Sequence, residues 1–162
     1  DAYSRQGDKA IMEVLRSMGG LIRETEGGDL VASSSKLHGV RIDATQIPDL
    51  VPILAVAASV AEGETVIHGA SRLRLKESDR LRTVTDMLTA LGGDITETDD
   101  GLIIRGVQSL CGGVVDAAGD HRIAMSAAVA STRAAEMVTV TGAEAVAKSY
   151  PAFWEEFARM TI

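Results

Sequence analysis

Four cations and two carboxylates lie within the nine residues Arg72 to Arg80, in the stretch Arg72-Leu73-Arg74-Leu75-Lys76-Glu77-Ser78-Asp79-Arg80-Leu81. The apolar periodicity that follows predicts an amphipathic helix over 79–91, so the charges stand at a helix start. Free backbone N–H groups and the helix dipole favour anions at such a place. Ser78 is a natural N-cap and Asp79 suits a first turn. One reading is therefore a capped helix behind solvated charges. Lys76 and Arg80 fit that reading poorly, because cations at an N-terminus oppose the dipole. A multiply anionic ligand would remove the conflict, and on the segment alone both readings stand.

Three further places could join it. Asp120-His121-Arg122 opens an apolar helix. Asp120 reads as its cap, and Arg122 could fork two hydrogen bonds to a carboxylate or phosphate, or form a surface ion pair. Asp49 follows Pro48 at the start of the most apolar helix. It reads as a plain N-cap, or as a carboxylate able to take a proton from a hydroxyl in a partly desolvated cleft. Lys148 precedes Ser149-Tyr150-Pro151 and reads on its own as a solvated lysine. His38, His68 and Cys111 lack metal-ligand spacing, and no Gly-rich phosphate loop follows a strand.

The elements that must position these residues are repeated. Sliding the 162-residue chain over itself by 73 lays residues 8–70 on 81–143 without a gap, and 17 of the 63 pairs are identical. Met18-Gly19-Gly20 meets Leu91-Gly92-Gly93, Ile42-Asp43-Ala44 meets Val115-Asp116-Ala117, and Ala55-Val56-Ala57 meets Ala128-Val129-Ala130. Each copy predicts a helix (8–18, 79–91) closed by Gly-Gly. Two hairpin strands follow (21–25 and 29–33; 94–98 and 101–105), then a third strand (39–43, 113–117). An apolar helix buried on nearly all faces comes next (49–61, 121–134), then a last strand (64–68, 137–141). A final helix over about 151–160 starts at Pro151. The offset makes Asp49 and Arg122 equivalent, each at a strand-to-helix junction, and such symmetry could gather the helix starts at one end.

Composition bounds the partners. Apolar residues make up 46% and charged residues 24%, as in ordinary globular proteins, and the net charge is −7. That leaves no global basic field for nucleic acid, so an anion must be held by local cations. A single cysteine, Cys111, excludes an internal disulfide and fits a reducing compartment. The longest apolar run, Leu50 to Ala61, is too short to cross a bilayer, and Asp1-Ala2-Tyr3-Ser4-Arg5 lacks a signal core. The expected location is the cytoplasm rather than a plastid, since no transit segment is visible, and the missing initiator Met suggests a piece of something longer.

Taken together, the motifs resemble the C-terminal part of the 5-enolpyruvylshikimate-3-phosphate synthase family. The matching pieces are Ile47-Pro48-Asp49, then Leu73 to Leu81 with its Lys-Glu-Ser-Asp-Arg-Leu core, then Gly119-Asp120-His121-Arg122-Ile123-Ala124-Met125 and Ala147-Lys148-Ser149-Tyr150-Pro151. Their order and spacing agree over essentially the whole chain. The sister UDP-N-acetylglucosamine enolpyruvyl transferases share fold and chemistry but do not usually carry Lys-Glu-Ser-Asp-Arg-Leu.

The resemblance implies an α/β fold of repeated βαβαββ units, with about two of the three units of one inside-out α/β barrel domain present. Residues 1–162 would then be a single partial domain. The implied reaction moves the enolpyruvyl group of phosphoenolpyruvate to the 5-hydroxyl of shikimate 3-phosphate, releases phosphate, and needs no metal or organic cofactor. It implies Asp49 as base near the shikimate hydroxyl, Lys76 on the shikimate phosphate and assisting proton transfer, and Glu77 as acid–base group at the methylene carbon. Arg80, Arg122 and Lys148 would hold the phosphoenolpyruvate carboxylate and phosphate, with His121 in support. Four residues before Lys76, where many members carry Asn, this chain has Arg72, which is left out of the site. The family's Lys-Ser pair and Ser-Ser-Gln group belong to the other domain and are absent here, since Ser33-Ser34-Ser35 reads as a loop. The chain alone is thus expected to be inactive or nearly so, with the N-terminal domain as its partner. The competing expectation is a non-catalytic anion- or protein-binding module of the same repeat.

Overall fold

A computed structural model describes residues 7–160. The segment Asp1 to Arg5, read above for a signal core, lies outside them. The elements run α1 (Ile11–Ser17), β1 (Leu21–Glu24), β2 (Leu30–Ser33), β3 (Arg41–Asp43), α2 (Val51–Ser59) and β4 (Glu64–His68). The same series then recurs as α3 (Arg80–Ala90), β5 (Asp94–Glu97), β6 (Leu102–Arg105), β7 (Gly113–Asp116), α4 (His121–Ser131) and β8 (Val138–Thr141), with α5 (Phe153–Met160) last. Short 3-10 turns precede α1, α2, α3 and α5 at Gly7–Ala10, Pro48–Leu50, Ser71–Leu75 and Ala143–Lys148.

The repetition extends to individual hydrogen bonds. His38 N donates to Met18 O as Cys111 N does to Leu91 O, and Ala44 N to His68 O as Ala117 N does to Thr141 O. Both first helices end in the same way, with Gly19 (φ 92°) and Gly92 (φ 75°) in the left-handed region that ends helices. Gly20 N and Gly93 N then close back on Leu15 O and Leu88 O. Two differences from the sequence expectation concern helix starts. The last helix begins at Phe153, with Pro151 and Ala152 in the turn before it. At α3 the N-cap is Asp79, whose side chain accepts from Arg82 N, so Ser78 is not the cap.

β1 and β2 form an antiparallel hairpin. β4 is the seam of a four-stranded sheet ordered β3-β4-β6-β5: it pairs parallel with β3 of its own copy and antiparallel with β6 of the next. β7 and β8 make a parallel pair. Parallel neighbours need a crossover, and α2 and α4 supply it. Because α2 lies under the sheet and against α3 and α4, it needs no polar face. Val51, Pro52, Leu54, Ala55, Val56, Ala58 and Ser59 are all buried. Small Ala side chains let α2 and α4 approach closely, which brings their N-terminal ends side by side. A second, smaller core of Ala117, Ala124, Ala128, Val146 and Phe153 fastens α5 onto α4. Among the described residues no helix is long and apolar enough to cross a membrane.

The turn from β6 back to the end of α2 is tight enough to demand glycine. Gly106 N donates to Gly63 O, and a Cβ built on Gly106 would sit 1.5 Å from Ala61 O. Gly106→Ala is expected to destabilise the chain by about 3 kcal/mol or more, read by urea unfolding. Gly27→Ala, where a Cβ meets nothing nearer than 3.7 Å, should stay within about 0.5 kcal/mol of the parent.

Candidate active site

The two apolar helices start at repeat-equivalent positions, and the structure sets those starts against each other. Arg122 Nη1 donates to the backbone carbonyl of Asp49, 73 residues away, at 3.1 Å, and Arg122 Nη2 lies 3.5 Å from Asp49 Oδ2. Asp49 is therefore not a helix cap. It sits in a 3-10 turn with no capping bond, and its carboxylate faces cations. Lys76 Nζ reaches Asp49 Oδ1 at 3.2 Å and Arg80 Nη1 reaches it at 2.7 Å.

Arg80 is the hub. Its Nε donates to Asp120 Oδ2 at 2.7 Å and its Nη2 to Asp120 Oδ1 at 3.2 Å and to Glu77 Oε2 at 2.6 Å. The conflict between Arg80 and the helix dipole is thus resolved inside the chain, by three carboxylates, without a ligand. Asp120 does cap α4, accepting from Arg122 N at 2.9 Å, but it is more than a cap. It also accepts from Ser78 Oγ at 3.1 Å and is fully buried. Asp120 as a buried partner and Ser78 as its donor were not foreseen. The available signal was a carboxylate followed by His121 and Arg122, opening a helix too apolar to be at the surface.

The cluster is graded from inside to outside. The side chains of Asp120 and Arg80 are 0% and 1% exposed, whereas Arg122, Asp49, Lys76 and Glu77 are 28%, 33%, 34% and 40% exposed. A dry ion pair therefore underlies a rim that a solute can reach. Beside it, Asp49, Pro52, Ile53, Arg122, Met125, Ser126 and Val129 line a small cleft of about 170 Å³ between α2 and α4.

Lys148 joins from the last turn, donating from Nζ to Gly119 O at 2.9 Å, one residue from Asp120. Ala118 and Gly119 both take positive φ, 51° and 66°, in the turn that delivers Asp120. The Lys148 segment is fixed from behind, because Trp154 Nε1 donates to Ala143 O and Tyr150 OH bonds Glu156. His121 stands on the first turn of α4, and its buried Nδ1 has no hydrogen-bond partner among the described residues. All seven expected residues thus belong to one connected region. Asp49, Lys76, Glu77, Arg80 and Arg122 meet directly, and Lys148 and His121 adjoin through residues 119–122.

Charge follows this geometry. Burial works to raise the Asp120 pKa, but hydrogen bonds from Arg80 and Arg122 N, the Arg80 charge and Ser78 outweigh it, so Asp120 stays below its ordinary 3.8. For Asp49, partial burial is likewise outweighed by Arg122, Lys76 and Arg80, and its pKa is also lowered. Arg80 is raised despite burial, by Asp120, Glu77 and Asp49.

Comparison with known proteins agrees with this geometry. The family model of EPSP synthase (3-phosphoshikimate 1-carboxyvinyltransferase) matches residues 1–157. The chain belongs to the EPSP synthase family. Curated 3-phosphoshikimate 1-carboxyvinyltransferases of Clostridium novyi and Clostridium acetobutylicum are 49% and 48% identical, over 99% and 97% of this chain and 37% and 36% of theirs. That of Roseiflexus castenholzii is 45% identical over 92% of this chain and 37% of its own. A solved EPSP synthase from Acinetobacter baumannii superposes with a TM-score of 0.81 at 38% identity, covering 94% of this chain and 38% of that one. The chain therefore shares the α/β fold of EPSP synthases and spans a little over a third of the length of the relatives it matches.

The buried pair makes a stability prediction. Both aspartates have folded pKa values below the unfolded value, so their contribution is present above about pH 4 and is lost as pH falls through the folded values. Asp120→Asn keeps a helix cap but leaves Arg80 short of its buried counter-charge. We expect a loss of roughly 3–5 kcal/mol at pH 7 and a flatter stability profile below pH 4, measured by urea unfolding across pH. A variant as stable as the parent at pH 7 would contradict the hub.

Proposed function

We propose that this chain is the part of an EPSP synthase that carries the acid–base carboxylates and several of the anion-holding cations of the site. In the whole enzyme it would take part in transfer of the enolpyruvyl group of phosphoenolpyruvate to the 5-hydroxyl of shikimate 3-phosphate. The observation that supports this most strongly is the contact network of Asp49, Lys76, Glu77, Arg80 and Arg122, in which Asp49 meets Lys76, Arg80 and Arg122 and Arg80 meets Glu77, drawn from three separate stretches of a chain of this family.

The chemistry assigns the roles. A proton added to the methylene carbon of phosphoenolpyruvate leaves a cationic centre at the neighbouring carbon, which a nearby carboxylate stabilises. Glu77, the most exposed carboxylate of the cluster, serves that carbon as acid and then base. Asp49, ionised and shared among three cations, takes the hydroxyl proton as the new carbon–oxygen bond forms. Phosphate then leaves as the methylene carbon gives its proton back. Arg122, Lys148 and Lys76 neutralise the carboxylate and phosphate groups, with His121 beside them. Arg80, four of whose five N–H groups are already engaged, orients Asp49 and Glu77 beneath the anion and adds its positive charge to the site.

Four cations (Lys76, Arg80, Arg122 and Lys148) and three carboxylates (Asp49, Glu77 and Asp120) nearly cancel within this region, so the chain alone should hold a trianion weakly. The N-terminal domain of the whole enzyme would supply further cations. The 162-residue chain is expected to release no phosphate on its own at high concentration and to regain turnover when mixed with the remaining part of a clostridial relative. In that mixture Glu77→Gln and Asp49→Asn should each lower turnover roughly 100- to 10,000-fold, as loss of a general acid or base does. Ordinary activity from the isolated chain, or a restored activity indifferent to both substitutions, would refute the assignment.

A further inference from the structure

Lys76, Glu77 and Ser78 lie in neither helix nor strand, so no regular backbone ladder fixes the two side chains with the most demanding chemistry. Leu75 in front of them is 89% exposed and gives no apolar anchor. The loop is instead tied by side chains. At its far end, Ser78 Oγ donates to Asp120 Oδ2. Within it, Lys76 reaches Asp49 and Glu77 reaches Arg80. A further tie is Arg74, two residues before Lys76, to which the site described above gives no role. Its Nη1 donates to Asp79 Oδ2 at 3.0 Å and to Glu97 Oε1 at 2.8 Å, its Nη2 to Thr98 O at 2.8 Å, and its Nε to Asp99 O at 3.2 Å. One guanidinium thus ties Arg74, in the 3-10 turn before the loop, and Asp79, directly after it, to the same post, the β5–β6 turn.

That post is firm. β5 pairs with β6 over four residues, and β6 is zipped to β4. Glu97 is 16% exposed at its side chain, and its Oε2, 3.3 Å from Arg82 Nε, has charge contact but no hydrogen bond among the described residues. Only a planar fork can serve two carboxylates and two carbonyls in different directions, because a lysine offers a single point charge. None of these four partners belongs to the cluster around Arg80.

We infer that Arg74 is a positioning residue for Lys76 and Glu77: by clamping Asp79 to the β5–β6 turn, it sets the reach and direction of the loop between them. This rests on the roles proposed above for Lys76 and Glu77. The test has two arms. In the first, nitrogen-15 NMR of the 162-residue chain compares the parent with Arg74→Gln and Arg74→Lys. The amides of Lys76, Glu77 and Ser78 should shift or broaden in both variants, while those of Thr96 and Ile103 stay in place. A role confined to bracing the hairpin turn would move residues 98–101 and leave 76–78 unmoved, and that result would overturn the inference.

In the second arm, turnover is measured after mixing with the remaining part of the enzyme. Both variants should lose on the order of 10- to 100-fold, as small misplacements of catalytic groups do. Arg105→Gln, which removes an exposed cation on the neighbouring strand β6, should lose nothing. Full rescue by Arg74→Lys would reduce Arg74 to a counter-charge and overturn the inference. Should Arg74→Gln fail to fold, Glu97→Gln removes one arm of the clamp and must move the same three amides. A parent mixture without turnover would count against the proposed function alone, since the NMR arm still decides the role of Arg74.

Discussion

A guanidinium buried to 1% exposure against a carboxylate buried to 0% is the constraint from which the rest of the site follows. Neither ion could be left dry without the other, because removing one partner of such a pair costs several kcal/mol. The pair joins the first turn of α3 to the cap of α4, so it fixes the relation between two helix starts 40 residues apart. Every exposed member of the cluster is then hung on it. Asp49 leans on Nη1 of Arg80 and Glu77 on Nη2, which it shares with Asp120; Ser78 leans on Asp120, and Lys76 and Arg122 lean on Asp49. What faces solvent is positioned by what does not.

Repetition explains why these helix starts meet at all. In each copy a parallel strand pair needs a crossover helix, and that helix must enter from the same end of the sheet. Two copies built alike, and zipped together by β4 and β6, therefore bring Asp49 and Arg122 into contact as equivalent residues. Opposite charge at equivalent positions turns a symmetric scaffold into an asymmetric site. The dipoles of the two helices would repel if their N-termini stood bare. The carboxylates of Asp120 at one and Asp49 beside the other offset that repulsion.

Much of this was legible in the chain. The offset of 73 located both helix–strand series, because Gly-Gly helix ends and alternating apolar strands are local signals, and hydrogen bonds such as Ala44 N to His68 O and Ala117 N to Thr141 O repeat at the same offset. The gathering of residues 49, 76–80, 121–122 and 148 was an inference from that symmetry, and the contacts bear it out. Which residue caps α3 was not legible, since Ser78 and Asp79 are both good caps. The choice fell to Asp79 because Ser78 was drawn across the molecule to Asp120. The true partners of Arg80 were hidden for the same reason. Local sequence shows a cation opposing a dipole, and only the fold shows three carboxylates coming from Asp49, Glu77 and Asp120 to meet it.

The near-cancellation of charge also says how binding and proton transfer could be joined in one event. Asp49 has a low pKa because Arg122, Lys76 and Arg80 outweigh its partial burial, and a carboxylate held that tightly is a feeble base. An incoming ligand with carboxylate and phosphate groups competes for the same cations. If Asp49 is the base, as proposed, each cation drawn towards the ligand would be one withdrawn from it, and its pKa would rise as the ligand settles. Burial, which already pushes that pKa upward, would then act with less opposition, and more so if the remainder of the enzyme closed over the rim and excluded water. Arg80 cannot be drawn away, since Asp120 holds it by two hydrogen bonds in the dry interior. The base would therefore stay in place while gaining strength, which is a reason for building an anion site from cations that are already paired.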